Sequence, residues 1–312
     1  MASYAHLKDK VFDGQPLTRF DIGKEGGGAP AEVAWLVEKE MVDPPEFPEV
    51  FDRFVETVDT GEVTTLALGW AGFEGEVAAE SLLRHAGRFP RLRALHLGYQ
   101  VDFAYVRQGD VTPVLERFPR LERLDVRGKN GLALRPFRHE TLRTLRFESC
   151  CLFGHVARAL GASDLPALEY LDLWLGVLPD LDAPPEVDAN DLAPLLNGER
   201  FPALRHLGLE NSWITDEFAD VVATAPVVAR LRSLSLALGT LTDAGVESLL
   251  TGQPLTHLQR LDLHHHYLSP AMMDRVPAAL PGVDVDLGDH RGEFAGPFDE
   301  EAHHFVADGR DF

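Results

Sequence analysis

Cysteine is nearly absent: the 312-residue chain has two, Cys150 and Cys151, and adjacent cysteines build no disulfide framework. That suits a reducing compartment. Positive charge is also scarce, with 29 Lys and Arg against 50 Asp and Glu, a formal charge of −21 and a pI near 4.9. Nucleic-acid binding depends on Lys and Arg displacing counterions, so nucleic acid and anionic membrane are not expected partners. Long apolar runs are missing too. Met1–Gly14 offers no signal-peptide core and no later segment approaches a membrane span, so the expected location is the cytoplasm. No Ser-His-Asp order, paired-carboxylate cleft or nucleotide fingerprint stands at a workable spacing. Gly23-Lys24-Glu25-Gly26-Gly27-Gly28 invites comparison with a phosphate loop but lacks the glycine-lysine-serine or threonine ending, and reads as a plain loop. No enzyme activity and no cofactor are expected.

What is abundant is one phrase, Leu-x-x-Leu-x-Leu. It recurs at Val63/Leu66/Leu68, Leu92/Leu95/Leu97, Leu121/Leu124/Val126, Leu142/Leu145/Phe147, Leu168/Leu171/Leu173, Leu204/Leu207/Leu209, Leu231/Leu234/Leu236 and Leu258/Leu261/Leu263. Between the middle residues the steps are 29, 29, 21, 26, 36, 27 and 27, a solenoid period with one short and one expanded unit. Period-two alternation makes each phrase a short parallel strand, leucines inward and intervening residues on an open face. A turn and a helix follow each strand. Thr215-Asp216 and Thr242-Asp243 place a side-chain oxygen where it can accept from the amides of a first helical turn. A second word, Phe89-Pro90, Phe118-Pro119, Leu165-Pro166 and Phe201-Pro202, precedes strands: proline ends a helix and the large apolar residue seals the gap to the strand.

These residues resemble the ribonuclease-inhibitor-like branch of the leucine-rich-repeat superfamily over roughly Val63–Leu287, and stand-alone bacterial leucine-rich-repeat proteins of similar length and caps. The resemblance implies an α/β solenoid, a horseshoe with a concave parallel β-sheet and convex helices, capped at both ends. The family's Asn or Cys three residues past the last leucine is here Ala71, Gln100, Lys129, Cys150, Gly176, Ser212, Gly239 and His266; only Cys150 matches. Small residues would then let the turns close by backbone contacts.

The expected division is an N-terminal cap over 1–62, repeats over 63–287 (eight clear and one degenerate, Leu280–Leu287), and an acidic C-terminal cap or tail over 288–312. The first cap reads as an edge strand, in which Val33, Trp35 and Val37 alternate, followed by an amphipathic helix over Pro48–Val58. In the last segment, Phe294, Phe298, Phe305 and Phe312 argue for a folded cover rather than a free tail.

Alternation also writes out the concave face. Its first column is Thr65, Ala94, Arg123, Thr144, Tyr170, His206, Ser233 and Arg260. The second is Ala67, His96, Asp125, Arg146, Asp172, Gly208, Ser235 and Asp262, and the third Gly69, Gly98, Arg127, Glu148, Trp174, Glu210, Ala237 and His264. Tyr170 and Trp174 are the expected exposed aromatic anchors, the other reading being that the neighbouring insertion covers Trp174. Arg123, Asp125, Arg146 and Asp172 alternate in sign and read as a cross-strand ladder open to a ligand. With Glu148, His206 and Glu210 they form the expected partner-binding set, overhung by the 176–190 insertion. The function expected is therefore a non-enzymatic protein-binding scaffold, in its sharper form an inhibitor or accessory subunit of a basic protein. The competing class is a metal-dependent enzyme or small-molecule binder built on His264-His265-His266, although consecutive strand histidines point in alternate directions and do not converge on one ion.

Overall fold

A computed structural model describes residues 11–23, 29–40, 44–72, 76–99, 108–128, 131–149, 151–176 and 187–292. Twelve strands follow one another in the sheet in chain order, with eight α-helices among the described residues. The chain divides into two compact units, Met1–Arg146 and Phe147–Asp311.

The first unit opens with a hairpin, β1 (Val11–Phe12) antiparallel to β2 (Gln15–Arg19). Asp13 and Gly14 at its tip have φ of 51° and 75°, the left-handed pair a two-residue hairpin turn requires. Next come β3 (Ala34–Val37), α1 (Phe47–Thr57), β4 (Thr65–Leu68), α2 (Glu76–Arg84), β5 (Ala94–Leu97), α3 (Thr112–Arg117) and β6 (Arg123–Gly128). The segment expected as an edge strand, β3, is instead paired in parallel on both sides, with β2 and β4. Phe47, Val50, Phe51, Phe54 and Val55 of α1 recur at helical spacing and are all buried, and Pro48 sits where a helix start tolerates a missing amide. Phe54 meets Phe20, Trp35, Phe51 and Phe89 at centroid distances of 5.2 to 6.4 Å, so α1 is held by aromatic packing.

Strand β7 (Thr144–Ser149) spans the boundary between the units. The second unit continues with α4 (Gly154–Gly161), β8 (Tyr170–Gly176), α5 (Ala189–Leu196), β9 (His206–Ser212), α6 (Thr215–Val222), β10 (Ser233–Ser235), α7 (Asp243–Thr251), β11 (Arg260–Asp262), α8 (Pro270–Ala279) and β12 (Asp284–Asp286). The worn ninth phrase is thus a strand, parallel to β11.

Register follows the leucine phrase. Within the first unit Leu66 pairs with Leu95 and Leu95 with Leu124; within the second Leu171 pairs with Leu207, Leu207 with Leu234 and Leu234 with Leu261. A one-residue slip would turn this leucine column outward, so burial fixes the register. The apolar-proline word closes the turn into each strand. The carbonyls of Phe89, Phe118, Leu165 and Phe201 each accept from the amide three residues on, the first leucine of the next phrase, at 2.9 to 3.3 Å. All four side chains are buried.

The turns after the strands close without an asparagine ladder. At Ser212 the carbonyl accepts from the Thr240 amide and the Thr215 hydroxyl, while Thr215 Oγ1 also accepts from the Thr240 amide. Gly239 is needed there, since a Cβ would lie 2.1 Å from Thr215 Oγ1 and 2.5 Å from the Ser212 carbonyl oxygen. This occupation of Thr215 corrects its expected role as a cap: its side chain makes no cap hydrogen bond, and Ile214 stands at the N-cap. Thr242 does cap α7. The helix starts are tied across repeats by acids, Asp216 accepting from the amide and hydroxyl of Thr242 and Asp243 from those of Ser269, at 2.5 to 2.9 Å. Gln100, Lys129 and Cys150 of the ladder positions, Lys24–Gly28, most of the 176–190 insertion and the segment 293–312 with its phenylalanines lie outside the described residues. The chain is a leucine-rich-repeat α/β solenoid.

Candidate interaction face

In the first unit the outward positions near the start of the sheet are small because another part of the chain fills the space. Phe12 of the hairpin packs with Ala34, Leu36, Ala67, Ala94 and Tyr99 in one buried cluster, and its ring meets His96 edge-on at 5.6 Å. Alanine on successive strands leaves room for one phenyl ring. Arg123 stacks its guanidinium over the same ring at 5.0 Å and binds Asp125 through two nitrogens at 3.0 and 2.7 Å. Asp125 is fully buried. Burial acts to raise its carboxyl, and Arg123, with smaller help from His96 and Arg146, holds it below the ordinary carboxylate range. Arg123 and Asp125 pair along one strand, because side chains two residues apart project from the same face.

In the second unit the outward pairs are aromatic and acidic. Register puts Tyr170 beside His206, Asp172 beside Gly208 and Trp174 beside Glu210. Tyr170 and His206 stack with centroids 3.9 Å apart and planes 8° from parallel, and His206 Nδ1 pairs with Ser233 Oγ at 2.5 Å. Trp174 donates its indole N–H to Glu210 Oε2 at 3.1 Å. Burial pushes the Glu210 carboxyl up to about 8, so it carries a proton at neutral pH. Gly208 is the room Asp172 occupies: a Cβ there would lie 2.4 Å from Asp172 Oδ1.

Exposure divides the expected partner-binding residues. Arg123, Tyr170 and His206, all in the first column, are partly exposed. Asp125, Arg146, Glu148, Asp172, Trp174 and Glu210 are buried, with Trp174 at 0%. Trp174 is therefore no exposed anchor: its ring is covered and its only polar atom is bonded to Glu210. Sequence patterning alone did not single out Phe12 and its hairpin, although Asp13-Gly14 is the local signal for such a turn.

The three consecutive histidines play three different roles. His264 Nδ1 donates to Asp262 Oδ1 at 2.6 Å. Buried His265 accepts from Arg291 Nε at 2.7 Å and is pushed down to about 3, chiefly by burial. His266 accepts the Leu268 amide at Nδ1 and donates from Nε2 to the Leu287 carbonyl, which is turn closure. Ligand atoms of Asp262, His264 and Asp286 lie within 4.8 Å of one another. The Arg260 guanidinium is already between those carboxylates, bonded to Asp262, Asp284 and Asp286 at 2.7 to 3.0 Å. A fixed cation on the same carboxylates opposes a second one.

No family model and no curated protein matches the sequence. Among solved structures, a protein from Bacteroides fragilis matches with TM-score 0.71 and 26% identity, over 78% of this chain and 71% of that one. At lower similarity, the TLR13–ssRNA13 complex matches at 16% identity and TM-score 0.40, over 88% of this chain and 34% of that one. An internalin of Listeria monocytogenes matches at 13% and TM-score 0.40, over 88% and 73%. No helix among the described residues is long and apolar enough to cross a membrane.

Proposed function

We propose that the chain is a non-enzymatic scaffold that binds a protein through the outward faces of its strands, in the ribonuclease-inhibitor-like manner of a strand-and-helix repeat. The observation that carries this reading is the partly exposed Tyr170–His206 stack, two rings held by strand register and by Ser233. A rigid aromatic pair costs little entropy on binding. On this reading Tyr170 and His206 make contact directly in the second unit, where Glu148, Asp172, Trp174 and Glu210 form the layer beneath. In the first unit Arg123 is the contact, backed by Asp125 and Arg146. The charge of −21 favours a basic partner in the cytoplasm and speeds its encounter. The metal-dependent alternative is disfavoured by Arg260, which binds the same carboxylates a cation would need.

The test is capture from the native cytosol by the wild-type chain and by a Tyr170→Ala/His206→Ala variant, with bound proteins identified by mass spectrometry. A protein held by wild type and released by the variant, with far-UV dichroism unchanged, is the expected result. Equal retention by both removes the stack from the site.

A further inference from the structure

We propose that the strand-entry edge of the second unit, carrying Arg200, Arg205, Arg230 and Arg232, docks a carboxylate-rich segment of a partner protein. The partner rests on the scaffold reading above; the anion site itself does not.

The starting point is a rung that the first unit fills with opposite charges and the second does not. Just before each strand, the residues flanking the first leucine of the phrase line up from repeat to repeat. In the first unit the Arg93 amide donates to the Thr64 carbonyl at 2.8 Å, and the Glu122 amide to the Arg93 carbonyl at 2.7 Å. Side chains pair across these repeats, Arg93 with Glu122 and Arg91 with Glu62. In the second unit the same backbone rung joins Arg205 to Glu169 at 2.8 Å and Arg232 to Arg205 at 2.7 Å. Arginine thus stands beside arginine, one strand spacing of about 4.8 Å away. Like charges on neighbouring strands are unfavourable until an anion answers them. Glu169 borders this rung on the β8 side alone. In the flanking position Ala203 precedes Arg230 by one repeat, where the first unit sets Glu62 before Arg91.

Two of the guanidiniums are seated by backbone. Arg230 Nη2 donates to the Gly198 carbonyl at 2.7 Å. Gly198 has φ of 70°, and a Cβ there would lie 2.0 Å from Arg230 Nη2, so glycine opens the seat. Arg205 Nη1 donates to the Leu204 carbonyl at 2.8 Å. A guanidinium carries five N–H donors, so each seated arginine keeps most of them for a ligand. Arg205 and Arg230 are half-buried, while Arg200 and Arg232 are exposed. Acids outnumber bases 50 to 29 in the chain, yet among the described residues none of the four is ion-paired. Their planar forks match carboxylates through two parallel hydrogen bonds. A charge of −21 repels a long polyphosphate, and Glu199 interrupts the basic strip. A short acidic segment brings few charges and meets less of that repulsion.

The experiment is fluorescence anisotropy of a labelled hexaglutamate peptide titrated with the full chain at low salt, with hexaglutamine as the neutral control. Saturable binding of hexaglutamate alone is expected, weakening as salt is added. Arg205→Gln/Arg232→Gln should weaken it about tenfold, the worth of roughly one charge-assisted hydrogen bond. Arg117→Gln/Arg120→Gln, at exposed arginines of the first unit, should leave it unchanged. Should the first variant lose its far-UV dichroism, Arg232→Gln alone, at an exposed position, decides in the same way. Hexaglutamate binding that is absent, unaffected by the second-unit substitutions, or reduced as much by those of the first unit overturns the proposal. So does tighter binding of a thymidine dodecamer that the second-unit substitutions abolish, since the edge would then take nucleic acid. No cytosolic partner is present in this assay, so its failure leaves the Tyr170–His206 stack untouched, and failed capture leaves peptide binding standing.

Discussion

The outward faces of the two units are built from one strand phrase and filled in opposite ways. The first carries alanines and is plugged by Phe12 from the chain's own hairpin. The second carries Tyr170, Asp172, Trp174 and Glu210, large and polar, with one carboxyl kept protonated by burial. The phrase dictates only the inward residues, so the fold tolerates either filling. What a leucine-rich-repeat chain does is written in the positions its repeat leaves open.

The comparison breaks most severely at Phe12. Phe12→Ala should cost about 3–5 kcal/mol, the range for emptying a fully packed phenyl site. Urea unfolding measures it, and a loss below about 1 kcal/mol would mean the first face does not need its plug.

Glu210 sharpens the other side. Its folded form holds a proton up to about pH 8 while an ordinary glutamate releases it near 4.5. Its contribution is thus complete below pH 4.5 and lost as pH rises through 8. Glu210→Gln should flatten the difference in urea midpoint between pH 5 and pH 8.5. A variant with the wild-type slope would place the titration elsewhere.

Smaller effects belong to the helix side. Asp216→Ala removes the acceptor of both the Thr242 amide and hydroxyl and should cost about 1 kcal/mol, the usual worth of a cap. Arg91→Ala breaks an exposed pair with Glu62 and should fall within about 0.5 kcal/mol of wild type in the same assay.

Leucine spacing made the solenoid, its register and the closing turns legible, because burial leaves those positions no choice. Position on the outward face was equally legible, since alternation is geometric. Exposure was not. Trp174 reads as an anchor until the indole is found covered and bonded to Glu210, and pairing of Arg123 with its own strand neighbour Asp125 depends on rotamers that spacing does not specify. The β1–β2 hairpin could have been read from Asp13-Gly14; its docking on Ala67 and Ala94 depends on contacts far apart in sequence. Thr215 looked like a cap because its sequence matches Thr242, yet the neighbouring turn claims its hydroxyl.

The central claim is that partners meet the strand face and not the helices. The most direct measurement places a benzophenone side chain at position 170, on the strand face, and in a second chain at position 247, on exposed helix α7, followed by irradiation in native cytosol and mass spectrometry. The account predicts a discrete protein adduct at position 170 that is missing at position 247; an adduct at position 247 with none at 170 would contradict it.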